Sequence, residues 1–437
     1  DKNGRRQPEK PRAAASAPAP APEPARAAEP EPAPAPAEPA YPTCPAAPRA
    51  PTQPPPGRTR PLCPYPSQAR YTGTGSSIGK SAFLNNNATV FVNETVASKP
   101  AWNAAQSVHF AGSDSILSNA EYLGYVGTRQ PTWGPLIQIP AVGTAVLVPY
   151  VKSGVTALDI TGNRLCQVYS NPNYTWNQLQ GGSAGGGAIN VVYRLDGSGT
   201  TELLSNYLVA ACPGAGFVKS NNFRTVVAGA LGLSSTDPLP GHWVGRTGSS
   251  EVGEAFKEGA ASEGRLGYVS PDPDYTGSDN SVVAKINGKL PTAASVRAAL
   301  SAFASTLPAV TVGSPSGAAS DPRSWVPDYV TPAGYPIVGT TNLLVNQCYR
   351  NSTIQNRILT WLEALVDGDF DNAIETGGPV TLIDGTSYDS DGHLFAALPT
   401  NWLNAIKNNF LTNVSANGLN IGNPDVCSGT IGRPLNN

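Results

Sequence analysis

The chain has 437 residues, 14% of them charged, and a formal net charge of −2; typical globular domains carry roughly a quarter charged residues, so the surface reads as polar but weakly charged. No net basic field argues for nucleic acid or an anionic membrane surface as partner. No apolar run approaches the roughly 18 residues that span a bilayer, which argues against membrane insertion.

Almost half of the 43 prolines fall in residues 1–70, mostly in Ala-Pro and Glu-Pro alternation. Such a stretch has little apolar surface to bury and favours extended polyproline conformers. It reads as a disordered tether or tail, leaving residues 71–437 to fold. The chain opens at Asp1 and contains no Met, which fits a lost initiator and leader, and hence export. Six widely spaced cysteines, Cys44, Cys63, Cys166, Cys212, Cys348 and Cys427, form no CxxC pair. In an exported chain they suggest disulfides, whose pairing spacing alone leaves open.

The first chemistry-bearing segment runs from Gly73 through Gly75-Ser76-Ser77 to Gly79-Lys80-Ser81 and imitates a nucleotide-binding P-loop. The spacing fails, because Thr74 stands where the first glycine is required. A Gly-Ser-Ser turn opening a helix is still a cradle for one anion, since glycine lets backbone N–H groups approach and Ser76 adds a hydroxyl. The next loop, His109 to Ser115, carries Asp114. A carboxylate facing a bound anion requires the anion to donate a proton; phosphate keeps a P–OH at neutral pH and sulfate does not. An Asp114 in the site would select phosphate, whereas the plainer reading has it capping a helix.

Apolar runs at 136–139, 145–148, 189–193 and 343–345 read as buried strands. Glycine-rich 181–187 reads as a loop. After the 189–193 strand, Arg194 is followed by Asp196, Ser198, Gly199 and Thr200 at the start of an apolar-periodic stretch. A guanidinium fork suited to bidentate oxyanion contact then lies beside a helix N-terminus that favours negative charge. The alternative is an ordinary capped helix behind a surface arginine. Helical periodicity marks 293–303, 353–366 and 400–411, where Trp402, Leu403, Ile406 and Phe410 share a face, and 307–336 reads as loop. Strands and helices in alternation imply an α/β chain with mostly parallel sheets. Residues 367–372 imitate a calcium loop, but Asn372 takes the obligatory glycine position, so a polar turn is expected. His109, His242 and His393 lack metal-ligand spacing. The sequons at Asn87, Asn93, Asn173, Asn351 and Asn413 are expected by chance.

Taken in order, Gly75-Ser76, Ala111-Gly112-Ser113-Asp114-Ser115, Tyr193-Arg194 with Ser198-Gly199-Thr200-Thr201-Glu202, Gly334-Tyr335-Pro336-Ile337, Asn346-Gln347-Cys348-Tyr349, and Ile421-Gly422-Asn423 through Cys427 to Gly432-Arg433-Pro434 resemble the phosphate-binding proteins of the bacterial phosphate ABC transporter, and most closely their DING subgroup. The resemblance covers about 71–437. It implies a two-lobed periplasmic-binding-protein (Venus flytrap) α/β fold, with residues 71–145 plus 336–437 as one lobe and 146–335 as the other. One phosphate would lie between Ser76 and Asp114 on one side and Arg194, Ser198, Gly199 and Thr200 on the other, with Asp196 orienting Arg194. It further implies Cys166–Cys212 and Cys348–Cys427 disulfides, no cofactor or metal, a monomer in the periplasm or outside the cell, and the permease of a phosphate ABC transporter as partner.

The subgroup's opening is echoed only by Asp1-Lys2-Asn3-Gly4. Thr52 and Gln53 fall, by ungapped counting, where a further phosphate-binding loop is expected, but the prolines after them cannot make the helix that should follow, so either the first strand and helix are rebuilt in residues 1–70 or that segment is foreign to the fold. The leading function is a non-catalytic phosphate receptor for uptake or scavenging. A secreted phosphatase is the alternative, and an adhesion or matrix protein acting through its proline tail is the third.

Overall fold

The computed structural model describes residues 73–91, 105–183, 185–234, 236–271, 283–302, 321–326, 333–375, 377–381, 387–390, 394–412 and 418–436. The proline-rich segment, Thr52, Gln53, Cys44, Cys63 and His393 lie outside them. The fold is α/β with two lobes. One is built on a sheet in the order β1 (Ala111–Ser113), β9 (Val338–Asn346), β2 (Leu136–Ala145). The other has the order β3 (Tyr150–Val151), β7 (Arg265–Gly267), β5 (Asn190–Arg194), β6 (Val244–Arg246). Two short pairs complete the strands: β4 (Asp159–Ile160) with β8 (Lys285–Ile286), and β10 (Gly378–Thr381) with β11 (Ser387–Ser390).

The expectation of mostly parallel sheets is corrected for the first lobe, whose pairs are both antiparallel. In the second lobe β5 is parallel to β6 and β7, while β3 is antiparallel to β7. Apolar periodicity marks a strand but does not encode its partner. Here β2 and β9 meet from about 200 residues apart.

The runs at 136–139 and 145–148 also belong to one continuous crossing. β2 spans Leu136–Ala145 through Pro140, where the register shifts between Pro140 and Val142. A bulge there accommodates a residue that has no N–H to give the ladder. Beyond Ala145 the chain runs on from the first sheet: Val146 N still donates to Ile337 O at 2.8 Å, then Leu147 exchanges bonds with Val269 at 2.9 and 3.0 Å, and Ala284 N donates to Val148 O at 2.9 Å. Tyr335 Oη donates to Val146 O at 2.8 Å beside the returning strand. One buried apolar cluster, including Ile139, Leu147, Val191, Leu266 and Val338, follows this crossing from lobe to lobe.

The expected helices form with small changes of limit. Ser352–Val366 starts behind Asn351, whose side chain accepts from Ile354 N at 3.1 Å, and buries Ile358, Leu362 and Leu365 at helical spacing. Ala293–Ser301 is capped by Thr292. The 400–411 segment is α-helical only over Thr400–Ile406 and continues as a π-turn over Lys407–Leu411, keeping Trp402, Ile406 and Phe410 buried together. Part of the expected 307–336 loop is a 3₁₀ turn, Pro322–Trp325, held on β2 by Gln138 Nε2 donating to Pro322 O at 3.2 Å. Disulfides join Cys166 to Cys212 and Cys348 to Cys427.

Candidate functional site

Three chain segments meet between the lobes. In the first, Gly75 adopts φ 81° and caps the Ser76–Asn85 helix without a side chain, so the N–H groups of its first turn are left for another acceptor. Lys80, the residue a P-loop would aim at phosphate, is buried and turned away: its Nζ donates to Ile116 O and to Glu121, each at 3.0 Å. The P-loop likeness is thus only in sequence.

The second segment leaves β1. Asp114 does not cap the following helix, Asn119–Thr128, which Ser118 caps in a capping box with Glu121. Its N–H donates to Ser76 Oγ at 3.1 Å, and its carboxylate accepts from Thr341 Oγ1 at 2.6 Å, with Thr200 Oγ1 at 3.5 Å. Burial raises the Asp114 pKa, opposed by the Thr341 bond, the Arg194 charge and the Thr200 contact.

The third segment starts where β5 ends in Arg194. Its Nε donates to Asp196 Oδ1 at 2.7 Å, a terminal nitrogen pairs with Asp196 Oδ2, and the other donates to Ser249 Oγ at 3.0 Å. Three of its N–H groups are engaged in this way, which fixes the plane of the fork and leaves an N–H on each terminal nitrogen for a second acceptor. Asp196 also accepts from Gly248 N at 2.9 Å. Burial pushes its carboxyl up, but the hydrogen bonds and charge of Arg194 outweigh this and hold it below its usual value. Arg194 N donates to Tyr268 Oη at 3.1 Å, and Tyr268 Oη lies 2.7 Å from Thr201 Oγ1. The Gly199–Ala211 helix follows, capped by Ser198 Oγ accepting from Thr201 N at 3.3 Å.

These segments touch closely. A Cβ on Gly199 would lie 2.5 Å from both Asp114 Cβ and Ser76 Oγ, and one on Gly75 would lie 3.0 Å from an Arg194 terminal nitrogen. Ser76, Asp114, Arg194, Asp196, Ser198, Gly199 and Thr200 are thus gathered at one seam, with Arg194, Ser198 and Thr200 buried. Thr52 and Gln53 lie outside the described residues. Sequence reasoning missed Thr341, Ser249 and Tyr268. None has a local signature, since each is brought in by a distant strand or helix start.

The weaker candidates resolve as structure. Asp367 pairs with Lys407, and Asp371–Ile374 forms a short helical turn. Asn87 accepts from Thr89 N at 2.9 Å, and Asn351 is a helix cap. Among the described residues no cluster of three or more His, Cys, Asp or Glu has metal-binding geometry.

Residues 64–364 match the PBP superfamily domain. Similar proteins include an "Alkaline phosphatase L" of Pseudomonas aeruginosa, 38% identical over 372 residues that cover 84% of this chain and 88% of the relative. A "Phosphate-binding protein" of an unknown prokaryotic organism is 36% identical over 400 residues, covering 84% and 93%. A solved structure, a high affinity periplasmic phosphate-binding protein (PfluDING) bound with phosphate at pH 8.5, superposes with a TM-score of 0.66 at 36% identity, covering 84% of this chain and 93% of its own.

Proposed function

This chain belongs to the PBP superfamily as a DING-type, PstS-like member, and we propose that it binds inorganic phosphate with high affinity in the cleft between its lobes. The observation that carries this reading is a guanidinium oriented by Asp196 and Ser249 at the same seam as the Asp114 carboxylate, which accepts from Thr341. Arg194 offers bidentate N–H contact to two phosphate oxygens. Helix starts at Ser76 and Gly199 offer backbone N–H groups to the others. Asp114 accepts the proton that phosphate keeps and sulfate lacks; against sulfate it presents charge repulsion and an unpaired buried acceptor.

In this reading Ser76 and Asp114 act from one lobe, at 71–145 with 336–437, and Arg194, Ser198, Gly199 and Thr200 act from the other, at 146–335. Asp196 and Ser249 hold Arg194. Hinge closure about the crossing at Ala145–Val148 and Tyr335–Val338 encloses the anion. The protein acts as a receptor in the periplasm or outside the cell, presenting phosphate to the permease of an ABC transporter.

Calorimetry on the full chain tests the reading: stoichiometric heat with phosphate and none with sulfate is expected, and equal binding of the two would remove Asp114 from the site. The relative's phosphatase name supports a second reading, hydrolysis of phosphomonoesters. Turnover of p-nitrophenyl phosphate that disappears in Arg194→Ala would favour it. Tight phosphate binding without turnover favours the receptor.

A further inference from the structure

Next to Ser76, the side chain of Ser77 crosses the cleft on its own. Its Oγ accepts from Asn221 Nδ2 at 3.1 Å. Asn221 belongs to the second lobe, where its carbonyl accepts from Ser198 N at 2.9 Å and the next residue, Asn222, caps the Phe223–Ala228 helix by accepting from Thr225 N. One asparagine thus grips the Ser198–Thr200 loop with its backbone and the Ser76 helix with its side chain. Gly197 forms the seat of this contact. A Cβ there would fall on Ser77 Oγ and within 3.0 Å of Ser77 Cβ. Gly197 is not among the glycines with positive φ, so its backbone conformation would accept alanine; only the opposite lobe forbids a side chain.

We propose that Ser77, Asn221 and Gly197 form an inter-lobe latch that touches no ligand atom and sets how long the closed cleft holds its anion. The latch rests on the phosphate reading for its ligand, but its geometry does not depend on it. Neither Ser77 nor Asn221 carries charge, so their bond costs little to desolvate. It forms only when the lobes meet, which places its effect on release rather than capture.

Release of radiolabelled phosphate from the full chain, chased with unlabelled phosphate, tests the latch. Ser77→Ala and Asn221→Ala should each speed release about fivefold, the effect of one net hydrogen bond, and leave association within about twofold. The double variant should release no faster than either single one. Gly197→Ala should weaken binding further, and Ser77→Gly in that background should restore part of it by vacating the space. Release at the wild-type rate in the single variants, or effects that multiply in the double, would overturn the latch.

Absence of phosphate binding by the wild-type chain would sink the phosphate reading alone. The latch is then judged by amide hydrogen exchange without anion: Asn221→Ala should speed exchange at 76–80 and 197–201, and unchanged protection there would overturn it.

Discussion

Asp114 and His109 lie five residues apart, and burial moves each away from its charged form. Burial raises the Asp114 pKa against the pull of Thr341, Arg194 and Thr200, so without anion the folded chain holds this proton more tightly than an unfolded one. Its contribution to stability is present below the unfolded carboxylate pKa and is lost as pH rises through the folded value. Asp114→Asn should therefore leave thermal stability at neutral pH unchanged or higher. The same variant should weaken phosphate at least about tenfold, the effect of one charge-assisted hydrogen bond, and narrow the gap to sulfate; unchanged selectivity in calorimetry would contradict the role given to the carboxylate. In the wild type, phosphate affinity should fall as pH drops through the raised Asp114 pKa. His109 moves the other way, lowered from 6.5 to about 4 by burial and then by Arg433. The unfolded chain binds more protons than the folded one between these values, so stability should fall as pH drops through that window, by on the order of 3 kcal/mol. His109→Gln should flatten that part of a stability-against-pH curve.

Caps and close approaches decide how the elements serve the site. Ser198 accepts from Thr201 N at the start of the Gly199–Ala211 helix, so Ser198→Ala should cost about 1 kcal/mol in denaturant unfolding. Gly199 separates stability from binding. It is the first residue of that helix, where alanine has the better helix propensity, but its Cβ would lie 2.5 Å from Asp114 Cβ and Ser76 Oγ. Gly199→Ala should unfold at the wild-type denaturant concentration or above, yet lose phosphate affinity. A variant that binds like wild type would show that the lobes need not approach this closely. Several helices were legible in the sequence because each satisfies its apolar spacing and its cap locally, as Asn351 and Ile358, Leu362 and Leu365 do for Ser352–Val366. The continuous β2 was not, because Pro140 interrupts the pattern and the bulge that rescues it is made with the distant β9.

For the molecule as a whole, the C-terminal segment is tied back onto the first lobe. Arg433 is 1% exposed. Its terminal nitrogens donate to Asn346 Oδ1 at 2.9 Å and Phe83 O at 2.6 Å, and its guanidinium lies over Phe83 at 4.1 Å and Trp133 at 5.1 Å. Burial pulls its pKa down to about 10. The Cys348–Cys427 bond closes the same region and is worth about 4.5 kcal/mol on a chain-entropy model. Arg433→Ala removes these bonds and leaves a cavity between two aromatic rings, so it should destabilise the chain by about 3 kcal/mol or more. At a temperature where the variant stays folded its phosphate affinity should match wild type; a large loss of affinity there would mean that the segment also positions the Ser76 helix.

By itself the sequence determined the local chemistry: a Gly-Ser turn opening a helix, an arginine at a strand end with Asp196 two residues on, Ser198 at a helix start, and apolar spacings that could only be buried helices and strands. Each is set within a few residues by backbone sterics, capping and periodicity. Tertiary structure alone decided that the first sheet is antiparallel, that Asp114 is held by Thr341 and not by its own helix, that Ser249 completes the hold on Arg194, and that Ser77 meets Asn221. Those pairings join residues from 55 to more than 200 positions apart, and no local propensity encodes which distant partner a strand or side chain will meet when the chain closes.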